Sequence, residues 1–261
     1  MRSIRVAAVQ LTPSTVSESL EKAVEFIKLA RDGGASVVCL PEAWFHRTPL
    51  AYIDAMLSSY ETILGRLSES AANNKVWVVG GGLYSPDGPS VVAPIISPDG
   101  DIIGLQEKVH LFRGERLVFR HGKRFKVFDM DGVKAGILVC HDIVYPEAAR
   151  TLALRGAELA FNPSRIVREG CGAWRRYLEV RCLENRMPLV APNIILPDLY
   201  GGLSTILTVG ETAGRVGVVE TLAEARDVEQ VLVAEIDLEK PAIMRVDRLS
   251  GRVPEAYEGM T

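Results

Sequence analysis

The sequence has no uninterrupted run of about 18 apolar residues, the length that a membrane-spanning helix requires. It also lacks a basic excess, since 30 Lys and Arg stand against 33 Asp and Glu, which disfavours a nucleic-acid binder. Only four cysteines occur in 261 residues, and none forms a Cys-x-x-Cys pair. Neither a disulfide scaffold nor a structural zinc site is therefore expected. These absences favour a cytoplasmic protein that binds neither membranes nor nucleic acid.

Disorder is equally disfavoured, because 48% of the residues are hydrophobic and the formal net charge is only -3. The opening MRSIRVAAVQLTP is too short and too polar after Gln10 for a secretory signal, and its alternation predicts a strand. No linker, low-complexity segment or internal repeat divides the chain. One domain is therefore predicted over residues 1–261.

Hydrophobic periodicity predicts strands that alternate with helices. Helices are predicted on the apolar face from Leu20 to Ala30, at 53–73, 145–155 and 173–186, and from about residue 239. Strands are predicted at 4–10, 36–40, 76–82, 91–97, 102–108, 125–130, 133–140, 158–162, 188–194, 204–209, 215–219 and 231–237. Alternating units imply parallel strands, whereas turns such as Asp131-Gly132 imply antiparallel hairpins. So many strands exceed one open sheet, and two mixed sheets packed face to face with outer helices are expected.

Three chemically useful side chains follow predicted strands, at the edge where functional groups collect in α/β sheets. Glu42 follows 36–40, Lys108 ends 102–108, and Cys140 ends 133–140. Each has a plain structural alternative: a solvated loop carboxylate, a surface lysine and a small buried hydrophobe. In a shared pocket, Glu42 would instead serve as a general base, and Lys108 would stabilise a thiolate and an oxyanion.

Cys140 stands out among the cysteines because a polar turn and a helix beginning near Pro146 follow it. A strand–turn–helix of this kind exposes a nucleophile, although the G-x-S-x-G pattern is absent. Cys39, Cys171 and Cys182 lie within or beside predicted elements and are interpreted as structural. A metal site is not expected either, because the side chains of adjacent Cys140 and His141 diverge.

The sequence resembles the nitrilase, or carbon–nitrogen hydrolase, superfamily in three motifs that occur in the family's order. They are GGASVVCLPEAWF around Glu42, EKVHLFRGER around Lys108, and GILVCHDIVYPEAAR around Cys140. The opening IRVAAVQLTP, GAELAFNPS and the helix around RCLENR are also similar, so the resemblance extends over about residues 4 to 237. It departs at Gln106-Glu107, where Tyr-Arg is frequent and which would lie near the pocket mouth. It also departs at His141, where an aromatic residue is usual.

The resemblance implies an α/β fold of four layers, an α-β-β-α sandwich with two mixed sheets. It implies Cys140 as the nucleophile, Glu42 as the general base, Lys108 as the electrostatic stabiliser and Glu115 as a second, positioning glutamate. It further implies a homodimer or larger homo-oligomer that needs no metal and no organic cofactor. The leading hypothesis is an amidase that acts on a small carboxamide or carbamoyl compound and releases ammonia.

The substrate itself is left open by the sequence. Candidate substrate-binding residues are His141, Tyr145, Asn162 and Trp174, with Trp44 and Phe45 equally suited to the core. Specificity is expected in loops 43–52, 112–124, 164–172 and 195–203. Nitrile hydrolysis and acyl transfer on the same site remain alternatives. So does a catalytically quiet member that binds small molecules or partners.

Overall fold

Two large mixed β-sheets form the centre of the protein, which was studied as a computed structural model describing residues 2–47 and 53–257. Residues 48–52 of the predicted specificity loop 43–52 lie outside the described residues. The strands are β1 Ser3–Gln10, β2 Val37–Cys39, β3 Trp77–Val79, β4 Leu83–Ser85, β5 Ser90–Ile96, β6 Ile102–Glu107, β7 Val127–Met130, β8 Val133–Ile137, β9 Leu159–Phe161, β10 Leu189–Ala191, β11 Ile195–Leu196, β12 Tyr200–Gly201, β13 Thr205–Glu211, β14 Gly217–Glu224 and β15 Gln230–Asp237.

The helices pack outside these sheets. They are α1 Val16–Asp32, α2 Ile53–Leu57, α3 Tyr60–Asn74, α4 Pro146–Leu154, α5 Cys171–Asn185 and α6 Glu239–Ser250. Helices α1 and α3 lie against the first sheet, and α4 and α5 lie together, with α5 against the second sheet. None of the helices in the described part of the chain is long and apolar enough to cross a membrane.

The strand order explains how each sheet is mixed. The first sheet runs β15-β1-β2-β3-β5-β4, with β6 also paired to β5, and the second runs β14-β13-β10-β9-β8-β7. Parallel pairs occupy the middle of each order. They are β1–β2 and β2–β3 in the first sheet, and β8–β9 and β9–β10 in the second. Antiparallel pairs extend both ends of each order. The predicted four-layer α/β sandwich with two mixed sheets is confirmed.

Successive residues of a central strand point to opposite faces of the sheet and so belong to different apolar cores. In β9, Leu159 and Phe161 belong to the core between the sheets, whereas Ala160 belongs to the core under α4 and α5. Both faces of this strand are therefore covered, which is typical of a central parallel strand. The Asp131-Gly132 turn is confirmed as a two-residue hairpin, since both residues have positive φ and join the paired ends of β7 and β8.

The predicted helix 53–73 is wrong in one respect, because it is two helices that break at Ser58 and Ser59. Both hydroxyls donate to the carbonyl of Ala55, at 3.0 and 3.1 Å. They occupy the acceptor that a continuous helix would offer to the Ser59 N–H, which binds Met56 instead. The predicted strand 76–82 is also too long, because β3 ends at Val79 and the chain turns through Gly80–Gly82 before β4.

Candidate active site

Glu42, Lys108, Glu115 and Cys140 line one cavity of about 300 Å³. Glu42 follows β2, Lys108 follows β6, and Cys140 follows β8, so the cavity opens at the carboxyl ends of strands from both sheets. Glu115 comes from the short 3₁₀ turn Arg113–Leu117 in the loop after Lys108. The structure thus brings together the four side chains predicted to be catalytic.

The Lys108 ammonium joins the two glutamates. Its Nζ lies 2.7 Å from Glu42 Oε1 and 2.7 Å from Glu115 Oε2, and the residue is only 1% exposed. Burial by itself would lower the pKa of Lys108, but Glu42, Cys140 and Glu115 outweigh it and raise that pKa well above its usual value. Lysine 108 therefore stays a cation throughout the neutral pH range.

Glu115 is the second glutamate that binds Lys108. Burial and the neighbouring Glu42 carboxylate raise its pKa, against the opposing effect of Lys108. Its Oε2 also accepts a hydrogen bond of 2.7 Å from the backbone N–H of Phe112, which fixes its orientation. Glu115 is consequently placed to hold Lys108 in position.

Cys140 has a strained backbone, with φ at 46° in the left-handed region that favours glycine. This conformation follows directly from the turn after β8, where the Cys140 N–H donates to the carbonyl of Pro163 at 2.8 Å. Burial, followed by Glu42, raises the pKa of the thiol, while Lys108 and the backbone N–H of Arg165 lower it. The raised pKa favours the thiol form, and Glu42 lines the same cavity, which is the arrangement that a general base needs.

Asp142 holds this turn in place, and the sequence reasoning did not assign it a role. Its fully buried carboxylate accepts from the His110 N–H at 2.8 Å, from His110 Nδ1 at 2.9 Å and from the Val139 N–H at 3.0 Å. These bonds connect the lysine loop to the cysteine turn. The Cys-x-Asp spacing was the available signal, because an acidic side chain there reaches back to the N–H before the nucleophile.

Glu42 is placed by a close approach of two backbone segments. Gly82 pairs with Glu42 as an isolated parallel bridge, and a Cβ on Gly82 would lie 2.7 Å from Glu42 Cγ. Its neighbour Gly81 has φ at 76°, and a Cβ there would lie 1.9 Å from the carbonyl oxygen of Pro41. The glycines after β3 are thus explained by the space that Glu42 requires.

Comparison with known proteins identifies the family to which this chain belongs. The sequence profile described as carbon–nitrogen hydrolase matches residues 5–243. The chain belongs to the carbon–nitrogen hydrolase family. It is 32% identical over 247 residues to a nitrilase of Pyrococcus abyssi (strain GE5 / Orsay), covering 90% of each chain. It is 26% identical to the omega-amidase NIT2 of Mus musculus, covering 94% of this chain and 92% of that one.

A solved structure shows the same fold. The carbon–nitrogen hydrolase from Helicobacter pylori G27 superposes with a TM-score of 0.88 at 24% identity, covering 99% of this chain and 98% of the other. The predicted family membership and the prediction of a hydrolase are confirmed by these comparisons.

The residues predicted to bind substrate in this carbon–nitrogen hydrolase fall into two groups. His141 and Trp174 line a second cavity of about 310 Å³ that shares Cys140 with the first. Tyr145 lines neither of these cavities, because its ring stacks on His110 with the centroids 3.7 Å apart. Burial and the nearby Lys108 lower the pKa of His141, so its ring is neutral near neutral pH.

Asn162 also occupies a different place from the one predicted. It is fully buried, and its Nδ2 donates to the carbonyls of Leu138 at 2.5 Å and Cys140 at 3.2 Å. Its Oδ1 accepts from Trp174 Nε1 at 2.9 Å. With these groups already bonded, Asn162 supports the cysteine turn and lines neither cavity.

Three further residues considered for the pocket are buried in the protein interior instead. Trp44 and Phe45 are fully buried and line neither cavity. Gln106 is also fully buried, and its side chain bonds the backbone of residues 107, 124 and 126, so the expectation that it lies near the pocket mouth is wrong. His141, by contrast, lines the second cavity.

The second cavity is the apolar neighbour of the first. Its wall includes Ile143, Val144, Ile166, Ala173 and Trp174. The two cavities share Phe112, Cys140, Arg165 and Val167 in their walls. A wider groove of about 710 Å³ lies elsewhere, between α6 and the β13–β14 hairpin, and its lining contains no nucleophilic side chain.

Proposed function

We propose that this chain hydrolyses the C–N bond of a small carboxamide or carbamoyl compound and releases ammonia. The observation that carries the proposal is the buried Lys108 ammonium, held 2.7 Å from both Glu42 and Glu115 in the cavity that contains Cys140. A protein that only binds a ligand does not require a buried cation beside a carboxylate and a cysteine with a strained backbone. The relatives named nitrilase and omega-amidase support the same class of reaction.

The first half-reaction forms a thioester. Glu42 accepts the proton of the Cys140 thiol as sulfur attacks the carbonyl carbon, and the resulting oxyanion is stabilised by Lys108 and the backbone N–H of His141. When the tetrahedral intermediate collapses, the C–N bond breaks and Glu42 returns the proton to the departing nitrogen. Ammonia leaves, and the acyl group remains on Cys140.

The second half-reaction reverses these roles. Glu42 accepts a proton from water as its oxygen attacks the thioester carbon, and Lys108 again stabilises the oxyanion. The C–S bond then breaks, the Cys140 thiolate regains a proton from Glu42, and the carboxylic acid is released. Glu115 holds Lys108 and orients the substrate, and Asp142 and Asn162 fix the turn that carries Cys140.

The surroundings of this reaction are also proposals. We place the enzyme in the cytoplasm as a homodimer or larger homo-oligomer, acting without a metal or organic cofactor. The four cysteines are free thiols, which suits a reducing compartment. Gel filtration with light scattering measures the oligomeric state directly, and a monomeric mass would contradict that part.

The test is ammonia release from a panel of small amides, ureido compounds and nitriles, run in parallel on the wild type and Cys140→Ala. The proposal expects release from an amide or ureido compound that is lost in the variant. Release from nitriles alone would identify a nitrilase, and a product conjugated to an added amine would identify acyl transfer. If no compound reacts and Cys140 also resists alkylation, a binding role replaces the hydrolase.

A further inference from the structure

Arg165 forms part of the wall of the reaction cavity. Its Nη1 donates to the carbonyl of Ala43 at 3.0 Å and of His46 at 3.3 Å, and its Cζ lies 4.8 Å from the ring centroid of Tyr200. All three of these partners line the cavity that contains Cys140. The guanidinium is therefore held at that wall by contacts on two sides.

Arg165 has no ion-pair partner in the described part of the chain. The cavity's two carboxylates, Glu42 and Glu115, both bind Lys108 instead. The bonds to Ala43 and His46 use only Nη1 of this half-buried guanidinium. Its Nε and Nη2 donors are left to bind a ligand. Such a fork matches the two oxygens of a carboxylate.

We infer that the substrate carries a carboxylate and that Arg165 binds it, so the enzyme prefers anionic amides or ureido acids. This inference rests on the proposed function for the position of the reacting carbonyl. Arg113, which stacks on Phe112 with its Cζ 5.0 Å from the ring centroid, adds a second positive charge to the same wall. A cavity of about 300 Å³ limits the partner to a small acid.

A structural role for Arg165 is the competing explanation, since its Nη1 ties the strand-end loop of Glu42 to its own loop. A structural role would weaken all substrates alike. A role in recognition would instead change the discrimination between charged and neutral substrates. The experiment therefore measures a ratio between substrates rather than activity alone.

Three amides of the same main-chain length make the comparison. They are succinamate, which carries a carboxylate, 4-oxopentanamide, which is neutral, and 4-aminobutanamide, which is a cation. Values of kcat/KM are measured for the wild type, Arg165→Met, Arg165→Lys and the matched control Arg168→Met. Arg168 is exposed three residues along the same loop and lines neither cavity.

The wild type is expected to favour succinamate over both other amides by about tenfold or more, which corresponds to about 1.4 kcal/mol. Arg165→Met should reduce that ratio by about tenfold, Arg165→Lys should keep part of it, and Arg168→Met should keep all of it. Equal use of the three amides, a preference for the cation, or a ratio that survives in Arg165→Met would overturn the inference.

Binding to Cys140→Ala separates this inference from the proposed function. Calorimetric titration measures the binding of succinamate to Cys140→Ala and to the double variant Cys140→Ala/Arg165→Met. Arg165-dependent binding without ammonia release by the wild type would support recognition and reject hydrolysis. Hydrolysis without any carboxylate preference would support the function and reject the role of Arg165. Neither binding nor release would reject both.

Discussion

Replacement of Lys108 by methionine tests the site's electrostatics most severely, because it leaves Glu42 and Glu115 buried together without the cation between them. Loss of one oxyanion donor costs about 3 kcal/mol of transition-state stabilisation, or a factor of about 10² to 10³ in kcat. Removing one partner of a buried ion pair also costs about 3–5 kcal/mol of folding stability. Both losses are expected in Lys108→Met.

The pH dependence of this loss has a definite sign. The pKa of Glu115 is already raised by burial and by Glu42, and loss of Lys108 raises it further. A folded-state pKa above the unfolded value means that the folded protein holds this proton more tightly, so stability falls as pH rises from about 4.5 toward that pKa. In the wild type the raised pKa of Lys108 makes its contribution fully present below about 10.5 and lost only above it. The deficit of Lys108→Met should therefore be larger at about pH 8 than at about pH 5.

Urea unfolding at the two pH values, followed by circular dichroism, measures this difference alongside ammonia release. Lys22→Met is the matched control, because Lys22 pairs with Glu229 at 2.6 Å with side chains 28% and 33% exposed. A surface pair of this kind contributes only about 0.2–1 kcal/mol. If Lys108→Met costs no more stability than Lys22→Met at about pH 8, or keeps kcat within about fivefold of the wild type, the electrostatic account is wrong.

Two further substitutions test the supports of the site. In Asp142→Asn, an amide N–H₂ group faces an N–H donor that now bonds to the carboxylate, so one hydrogen bond is lost and the cysteine turn should shift. The value of kcat should fall by about 10²-fold with the circular dichroism spectrum unchanged. Unaltered kinetics would show that Asp142 does not position the nucleophile. Gly82→Ala puts a Cβ 2.7 Å from Glu42 Cγ and should lower kcat, whereas Gly65→Ala, with open space around it, should leave kcat unchanged. Equal kinetics in these two alanine variants would contradict the close packing at Glu42.

The sequence was sufficient to predict the elements that carry the chemistry. Glu42, Lys108 and Cys140 each follow an apolar strand, and functional groups collect at the carboxyl ends of strands in α/β sheets. The two-sheet arrangement followed from the number and alternation of strands. Local signals of this kind persist in the fold because burial of both strand faces enforces them.

The direction of individual side chains could not be predicted in the same way. Tyr145 follows the cysteine turn in sequence, yet its ring stacks on His110, which lies 35 positions earlier. Asn162 follows a strand, as the residues predicted to be catalytic do, but its amide turns inward to the carbonyls of Leu138 and Cys140. Such orientations depend on partners that are remote in sequence. Arg165 escaped notice for the same reason, since its contacts with Ala43 and His46 join distant loops.

The most direct test of the account is to trap the acyl group on Cys140. Glu42→Gln should form a thioester slowly and hydrolyse it more slowly still, because both proton transfers lose their base. After incubation with the best amide of the panel and an acid quench, peptide mass spectrometry should find the acyl mass on Cys140. That adduct should be absent in Glu42→Gln/Cys140→Ala. Ammonia release by the wild type with no acyl adduct on Cys140 under any quench would contradict the thioester mechanism.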